Sequence, residues 1–422
     1  MRKINQDNKS SPPDLPVKNW QIKTGGMTPK CQRVYIRTFG CQMNEHDSGR
    51  LKDLLLERGY AFCGSLEFAD VVIFNTCSVR KHAEDRVYGK VGELQKSKAK
   101  KPGLIVGIIG CMAEAQKDEI FRRLPIVDFL CGPADLDNVP GIIDRIKNGA
   151  GRIMYLEGYK SKIIPAFSRN RKIGKTAYVK IMEGCDNFCS YCIVPYVRGR
   201  ERSRPSKEIL EEIESLIKKG AKNITLLGQN VNSYGKGLQE KINFVTLLTK
   251  IDKLTSIHPR GAIPGAPSQG REGDIKISFF TSHPKDASLE LFRAMRDLKS
   301  IVKILHLPIQ SGSDKILKRM NRKYTVAKYK KLAGDYKKIV KSGNISGDII
   351  VGFPGETEKD FNDTFNIVKK LQFDAAYIFK YSPRPFTKAA GFKDDVSLEE
   401  KERRHTLLLD LQRSILSNKK CQ

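Results

Sequence analysis

The sequence predicts an α/β fold with two parts, an N-terminal parallel α/β sheet domain and a partial (β/α)6 barrel. Short apolar runs alternate with amphipathic helical segments along most of the chain, which is typical of parallel sheets whose strands are joined by helices. The alternation weakens across residues 151–171, so we place a linker there, between residues 33–150 and residues 172–395. In such folds, the loops that carry the chemistry follow the carboxyl ends of the strands.

The first part contains four short apolar runs that we predict as strands, at 34–36, 71–74, 104–109 and 127–130. Helices are predicted between and after them, around 51–56 and at 79–98 and 142–146. Residues 1–32 are rich in Asn, Lys, Ser, Pro and Gly and lack apolar periodicity, so we predict a disordered N-terminal extension.

The second part contains six apolar runs that we predict as strands, at 177–181, 224–227, 275–280, 304–307, 349–353 and 376–379. An amphipathic helix is predicted at 208–219. The segment 257–274 is rich in Pro and Gly and has no period, so we interpret it as a surface insertion. Residues 396–422 are predicted to form one charged helix with an apolar stripe.

Basic residues are in large excess: 76 Lys and Arg face 47 Asp and Glu, a formal net charge of +29. Such a charge favours a polyanionic partner, either nucleic acid or an acidic membrane surface. The sequence has no apolar stretch of the ~18 residues that a membrane span needs, and its N-terminus lacks the apolar core of a signal peptide. We therefore predict that the ten cysteines are metal ligands and free thiols in a reducing cytoplasm.

Three cysteines, Cys185, Cys189 and Cys192, follow the strand at 177–181 with the spacing C-x3-C-x2-C. A cubane iron-sulfur cluster has four irons, so three thiolates leave one iron open for chemistry. The spacing differs from the paired C-x2-C of zinc sites, although a distant residue could complete a zinc set. The remaining alternative is that the three are small core residues.

A second set of cysteines consists of Cys41, Cys77 and Cys111, each of which comes directly after a predicted apolar strand. The carboxyl ends of parallel strands lie side by side, so these thiolates could converge and again leave one iron open. Buried cysteines after strands are also common as core residues, and that alternative stays open.

The first cysteine loop resembles that of the radical S-adenosylmethionine enzymes. The stretches GCQMNEHDS at 40–48 and NTCSVR at 75–80 narrow the resemblance to the methylthiotransferases. GCDNFCSYCIVPYVRGRERSRP at 184–205 and LLGQNVNSYG at 226–235 are most similar to the tRNA-2-methylthio-N6-dimethylallyladenosine synthases. The resemblance extends over about 34–412.

This resemblance implies an enzyme that adds a methylthio group to C2 of N6-dimethylallyladenosine at position 37 of tRNA, next to the anticodon. It implies two [4Fe-4S] clusters, one held by Cys185, Cys189 and Cys192 and an auxiliary one held by Cys41, Cys77 and Cys111. It also implies two molecules of S-adenosylmethionine, a reductant such as flavodoxin or ferredoxin, and a monomer that acts without a membrane.

Polar residues near the predicted strand ends are candidates for binding. Three of them could bind S-adenosylmethionine, namely Ser282, Gln310 and Asp348, although such residues are often only loop caps. Five basic residues could contact tRNA phosphates, namely Arg198, Arg200, Arg202, Lys380 and Arg384. For the first three, the alternative is a charged loop that only contacts solvent.

The sequence departs from the family pattern in three places. Phe386 replaces a glycine that is usual there, 257–274 is an insertion, and the helix at 396–422 would lead to a β-barrel RNA-binding domain, called TRAM, which we expect to be absent. Two other functions stay open: methylthiolation of another tRNA adenosine or of a ribosomal-protein aspartate, and a non-catalytic iron-sulfur or zinc RNA-binding protein.

Overall fold

A computed structural model of the protein describes residues 32–78, 81–158, 174–257 and 275–420. All but one residue of the predicted N-terminal extension, most of the predicted linker and nearly all of the predicted insertion lie outside these ranges. Within the described ranges, the structure is mixed α/β with parallel sheets, as the sequence predicts. No helix in these ranges is long and apolar enough to cross a membrane.

The first part is a six-stranded parallel sheet with the strand order β2-β1-β3-β4-β5-β6. Every residue of the central strands β3 and β4 is buried, as expected for parallel strands covered on both faces. Two short strands were not predicted: β2 has only two residues, and β6 lies within the segment that was predicted to be a linker. The strands are β1 (Arg33–Phe39), β2 (Ala61–Phe62), β3 (Val71–Thr76), β4 (Ile105–Gly110), β5 (Phe129–Cys131) and β6 (Ile153–Tyr155).

Among the residues that the structure describes, five α-helices belong to this part: α1 (Gln42–Glu57), α2 (Lys81–Lys100), α3 (Cys111–Gln116), α4 (Asp118–Arg123) and α5 (Val139–Lys147). Leu51 and Leu55 of α1 share one apolar core with Ile142 of α5. Val91 of α2 and Ile120 of α4 belong to a separate core. The sheet therefore has helices on both faces, so its ligand-accessible edge is the carboxyl edge of the strands.

The second part has six parallel strands in two three-stranded sheets, with the orders β11-β10-β7 and β12-β13-β14. A parallel bridge connects Ile277 of β11 with Ile301, which lies in the segment just before β12. This arrangement agrees with the predicted partial barrel, although the fifth strand begins at Asn344 and not at 349. The strands of this part, including the short pair β8 and β9, are β7 (Thr176–Lys180), β8 (Met182–Glu183), β9 (Arg202–Ser203), β10 (Asn223–Leu227), β11 (Lys276–Phe279), β12 (Ile304–His306), β13 (Asn344–Val351) and β14 (Ala375–Lys380).

Helices cover the outside of this partial barrel, and the long terminal helix packs against β14. Ile209, Ile213 and Leu216 give the first large helix a continuous buried face, as its periodicity predicts. The helices are α6 (Val194–Val197), α7 (Ser206–Lys218), α8 (Phe244–Ile257), α9 (Leu289–Asp297), α10 (Asp314–Arg319), α11 (Val326–Ile339), α12 (Glu358–Leu371) and α13 (Leu398–Lys420).

Candidate metal centres at the carboxyl ends of the strands

The loop that carries Cys185, Cys189 and Cys192 lies between two short strands, β8 and β9, which pair antiparallel. Its turns are closed by backbone hydrogen bonds from Cys185 N to Gly199 O (3.3 Å) and from Cys192 N to Cys189 O (2.9 Å). Gly184 begins the loop with a φ of +80°, and a Cβ there would lie 2.0 Å from the Arg200 carbonyl oxygen. Only glycine fits where these two backbone segments come so close, so this contact fixes the position at which the cysteine loop begins.

Neighbouring loops hold the cysteine loop from its other side. Ser190 donates its N–H to Met320 O (3.0 Å) and accepts from Ala389 N (2.7 Å). The Asn321 side chain donates to Phe188 O (2.8 Å). The loop is therefore fixed by contacts from two distant segments, the end of α10 and the chain after β14.

A buried guanidinium lies beside the thiol of Cys189. Arg322 Nη1 is 3.4 Å from Cys189 Sγ, and the same side chain hydrogen-bonds Tyr324 and Pro308 O. Burial raises the pKa of Cys185 to about 11 and that of Cys192 to about 12. Because metal binding requires thiolates, a fixed positive charge at this loop favours a bound anionic cluster.

The second cysteine set lies at the carboxyl edge of the N-terminal sheet, after β1, β3 and β4. Cys77 N donates to Phe39 O (3.0 Å), which brings the ends of β3 and β1 together. Asn44 and Asn75 exchange hydrogen bonds: Asn44 Nδ2 donates to Asn75 Oδ1 (2.9 Å), and Asn75 Nδ2 donates to Asn44 O (2.9 Å). Asn44 Oδ1 also accepts from the backbone of Cys41 (3.3 Å), so this amide pair fixes Cys41 next to Cys77.

Cys41 lies within interaction range of both Cys77 and Cys111. A hydrogen bond from the Cys77 thiol lowers the pKa of Cys41 to about 6. Burial raises the pKa of Cys111, although the positive charge of Arg198 acts in the opposite direction. Cys41 is exposed, whereas Cys77 and Cys111 are buried, so the set has one open side.

Arg198 lies in a buried ionic network that joins the two parts of the chain. Its Nη2 is 2.7 Å from Asp47 Oδ2 in α1, and its Nη1 is 2.7 Å from Glu183 Oε1 in β8. Lys180 Nζ lies 3.2 Å from Asp47 and 3.4 Å from Glu183. Arg198 is only 2% exposed, so the prediction that it contacts tRNA phosphates is wrong. Its positive charge acts on Cys41 and Cys111.

The two cysteine sets are close in the fold because α3 and α6 pack against each other. Cys111 and Ala115 of α3 form an apolar cluster with Ile193 and Val197, which directly follow Cys192. Nothing in the local sequence around either set indicates this contact. It follows from the packing of the N-terminal sheet on the barrel.

Within the described ranges, no three Cys, His, Asp or Glu side chains stand close enough to hold a single metal ion. This is compatible with a cubane site, because there each thiolate binds a different iron and the sulfurs stay apart. Both sets offer three thiols and a neighbouring guanidinium, which fits an anionic iron-sulfur cluster with one free iron position.

The residues predicted to bind S-adenosylmethionine lie at strand ends of the barrel. Gln310 and Asp348 are adjacent, since Gln310 N donates to Asp348 O (2.8 Å). The Gln310 amide oxygen is buried and has no hydrogen-bond partner, and its backbone has a φ of 68°. Asp348 Oδ2 lies 3.2 Å from His306 Nε2, and Ser282 Oγ is 3.2 Å from Asn232 Oδ1.

The other basic residues predicted to contact tRNA divide into two groups. Arg200 is exposed and pairs with Asp186 at 2.8 Å, and exposed Lys380 pairs with Glu402 at 2.8 Å. Arg202 is partly exposed, and its guanidinium is 3.9 Å from Glu183. Arg384 is buried against Glu84 of α2 at 3.4 Å, so the prediction of a phosphate contact is wrong for this residue too.

Sequence reasoning missed several residues of these sites. Arg322 lies within MNRKYT, a stretch that the resemblance includes but to which the prediction gave no role. Asp47 and Asn44 lie within GCQMNEHDS, and their polarity in the first turns of a helix was the available signal. Their burial could not be read from the sequence, because it depends on contacts with Asn75 of β3, with Lys180 of β7 and with Arg198, which follows α6.

Comparison with known proteins agrees with this geometry. Residues 33–132 match the family described as uncharacterized protein family UPF0004, and residues 179–368 match the radical SAM superfamily. The fold is shared with a radical S-adenosylmethionine methyltransferase, TsrM from Kitasatospora setae (TM-score 0.61, 12% identity, covering 85% of this chain and 75% of that one). It is also shared with the cobalamin-dependent radical enzyme OxsB (TM-score 0.55, 12% identity, covering 92% and 56%). Fold and site together define a radical S-adenosylmethionine enzyme.

Full-length relatives narrow the assignment. The tRNA-2-methylthio-N(6)-dimethylallyladenosine synthase of Clostridium novyi is 44% identical over 390 residues, covering 92% of this chain and 82% of the relative. The synthase of the same name from Caldicellulosiruptor saccharolyticus is 45% identical over 397 residues, covering 93% and 80%. The chain belongs to the tRNA-2-methylthio-N(6)-dimethylallyladenosine synthase family of radical S-adenosylmethionine methylthiotransferases.

Proposed function

We propose that this chain adds a methylthio group to C2 of N6-dimethylallyladenosine at position 37 of tRNA. The names of its relatives support the substrate, and the formal net charge of +29 supports a polyanionic partner. The observation that carries the proposal is the packing of Cys111 in α3 against the residues that follow Cys192. This packing places the two three-cysteine sets close to each other. Such proximity is required if a sulfur atom is to be inserted where the radical is generated.

In this proposal, Cys185, Cys189 and Cys192 hold one [4Fe-4S] cluster, and a second set, Cys41, Cys77 and Cys111, holds the auxiliary one. The bound clusters would supply the electron that cleaves S-adenosylmethionine and the sulfur that is transferred, with two S-adenosylmethionine molecules consumed per product. An aromatic C–H bond is too strong for acid-base chemistry, so a cofactor radical has to break it while the protein positions the base.

The chain's own side chains would bind and orient the reactants. Arg322 places a positive charge 3.4 Å from Cys189 and would stabilise the thiolate of that ligand. The unpartnered amide oxygen of Gln310 can accept a hydrogen bond from an amino or hydroxyl group of S-adenosylmethionine. Asp348, oriented by His306, and Ser282 offer further polar contacts at the same strand ends.

Three of the basic residues named from the sequence remain candidates for the tRNA backbone: Arg200, Arg202 and Lys380. We further propose that the functional units follow the predicted division into 33–150, 172–395 and 396–422. The enzyme would work as a monomer in the cytoplasm, where tRNA is modified, and a flavodoxin or ferredoxin would supply the electrons.

The test is nucleoside analysis of tRNA by mass spectrometry. A strain that lacks the gene should contain N6-dimethylallyladenosine without the methylthio group, and complementation with this chain should restore the mark. Complementation with Cys111→Ala should not restore it. Unchanged nucleosides in the deletion strain would reject the proposed function.

A further inference from the structure

Three aromatic rings form a continuous exposed row beside the cysteine loop. Phe188, Tyr196 and Phe386 are 37%, 44% and 57% exposed. The ring centroids of Phe188 and Tyr196 are 6.4 Å apart, and those of Tyr196 and Phe386 are also 6.4 Å apart. Single exposed aromatic residues are ordinary on protein surfaces, but a contiguous group of three is typical of an interaction site.

Two of these residues have backbone conformations that side chains rarely adopt. Phe188 has a φ of 47° and Phe386 has a φ of 66°, both in the left-handed region. A bulky residue there is strained, and the exposed rings recover little of that cost through burial. Folding alone therefore does not account for phenylalanine at these positions, and function is the remaining reason.

The row is fixed at the rim of the cysteine loop. Phe188 lies between Cys185 and Cys189, and Tyr196 lies in α6, directly after the loop. The segment that carries Phe386 is attached to the loop by the hydrogen bond from Ala389 N to Ser190 O (2.7 Å). A molecule that rests on the row would therefore lie next to the site of the proposed chemistry.

A positive charge continues the row. The guanidinium of Arg200 lies 5.2 Å from the centre of the Phe188 ring, and its side chain is 73% exposed. Exposed rings with an adjoining arginine are the usual means by which proteins bind unpaired nucleotides, because bases stack on the rings while the cation attracts phosphates.

We propose that Phe188, Tyr196 and Phe386, which we call the aromatic row, stack with unpaired bases of an RNA loop. The identity of that RNA as tRNA rests on the proposed function. The row would let the enzyme distinguish an open loop from paired RNA, since bases in a duplex already stack on one another.

The proposal is tested by equilibrium binding of the full chain, without S-adenosylmethionine, to two RNAs. One is a hairpin with an unpaired loop, and the other is a fully paired duplex of the same length. Because stacking on one aromatic side chain contributes about tenfold in affinity or more, Tyr196→Ala and Phe386→Gly should each weaken hairpin binding about tenfold. Duplex binding should change less than twofold.

Phe386→Gly separates a binding role from a structural one. Glycine relieves the left-handed backbone, so this variant should unfold at the same temperature as the parent or higher. The matched control is Phe68→Ala, because Phe68 is also exposed (55%) with a guanidinium above its ring, that of Arg33 at 5.7 Å. Phe68 precedes β3, at the opposite edge of the N-terminal sheet from the cysteines, and its removal should leave hairpin affinity unchanged.

Hairpin affinity that is unchanged in both Tyr196→Ala and Phe386→Gly would overturn the proposal, as would equal losses for hairpin and duplex. Methylthiolation is measured separately in the same variants. If the variants selectively lose hairpin binding but the parent enzyme forms no methylthio product, the aromatic row is supported and the proposed function is rejected. Normal product formation with unchanged hairpin affinity in the variants would reject the row alone.

Discussion

Arg198 donates a hydrogen bond to Asp47 across 151 positions of sequence, with 2.7 Å between Nη2 and Oδ2. Arg198 lies shortly after Cys192 in the sequence, and Asp47 lies at the same spacing after Cys41. Glu183 and Lys180 complete the buried network, so its two positive and two negative side chains balance. This ion pair orients the guanidinium toward Cys111 and fixes the N-terminal sheet on the barrel.

Replacing Asp47 with alanine should destabilise the protein strongly. The change leaves Arg198 and Lys180 buried with one anion for two cations, and breaking a buried pair costs about 3–5 kcal/mol. Urea unfolding of the metal-free chain should show this loss. The control is Glu119→Ala, because Glu119 pairs with Arg122 on the surface and should cost about 1 kcal/mol or less. Equal effects of the two changes would mean that the network is not structural.

Replacing Arg198 with glutamine should make the reduction potential of the auxiliary cluster more negative. The positive charge of Arg198 acts on Cys111 and would stabilise the reduced, more anionic cluster, so its loss should favour the oxidised form. The potential is measured by spectroscopic titration in a chain whose radical-site cysteines are alanine, so that only the auxiliary cluster reports. Arg198→Lys should recover part of the shift, and an unchanged potential in Arg198→Gln would contradict this role.

Replacing Gly110 with alanine should disrupt the auxiliary site. Gly110 has a φ of +92°, and a Cβ there would lie 2.7 Å from Thr76 O and 2.5 Å from Asn75 Oδ1. We expect a cost of about 1–3 kcal/mol and loss of most auxiliary iron, measured by metal analysis in the same cysteine background. Gly141→Ala in α5, where the methyl group meets nothing within 4 Å, should retain the iron and stabilise the helix by about 0.5–1 kcal/mol.

Replacing Glu114 with glutamine should stabilise the protein at high pH only. Burial, assisted by Asp135, raises the pKa of Glu114 to about 7 despite Lys117. The contribution of Glu114 to the free energy of unfolding is therefore most favourable below the unfolded-state pKa of ~4.3 and is lost as pH rises through 7. Because Glu114 is partly exposed, we expect Glu114→Gln to gain only about 1–3 kcal/mol more at pH 8 than at pH 5. An equal gain at both pH values would contradict the raised pKa.

The sequence allowed the fold class, the six barrel strands and the positions of both cysteine sets to be predicted, because apolar periodicity and cysteine spacing are local. The roles of Arg198 and Arg384 were predicted wrongly for the opposite reason. An arginine in a charged loop looks solvated, and only the partners Asp47 and Glu84, distant in sequence, show that it is buried. The strain at Phe386 likewise depends on a backbone angle that no local pattern reveals.

We propose that this one chain holds two separate iron-sulfur clusters, one on each cysteine set. Iron content after anaerobic reconstitution tests it most directly, with the parent chain compared with a triple alanine variant of each set. We predict about eight irons per chain for the parent and about four for each variant. About four irons in the parent, or loss of all iron when only Cys41, Cys77 and Cys111 are replaced, would contradict the account.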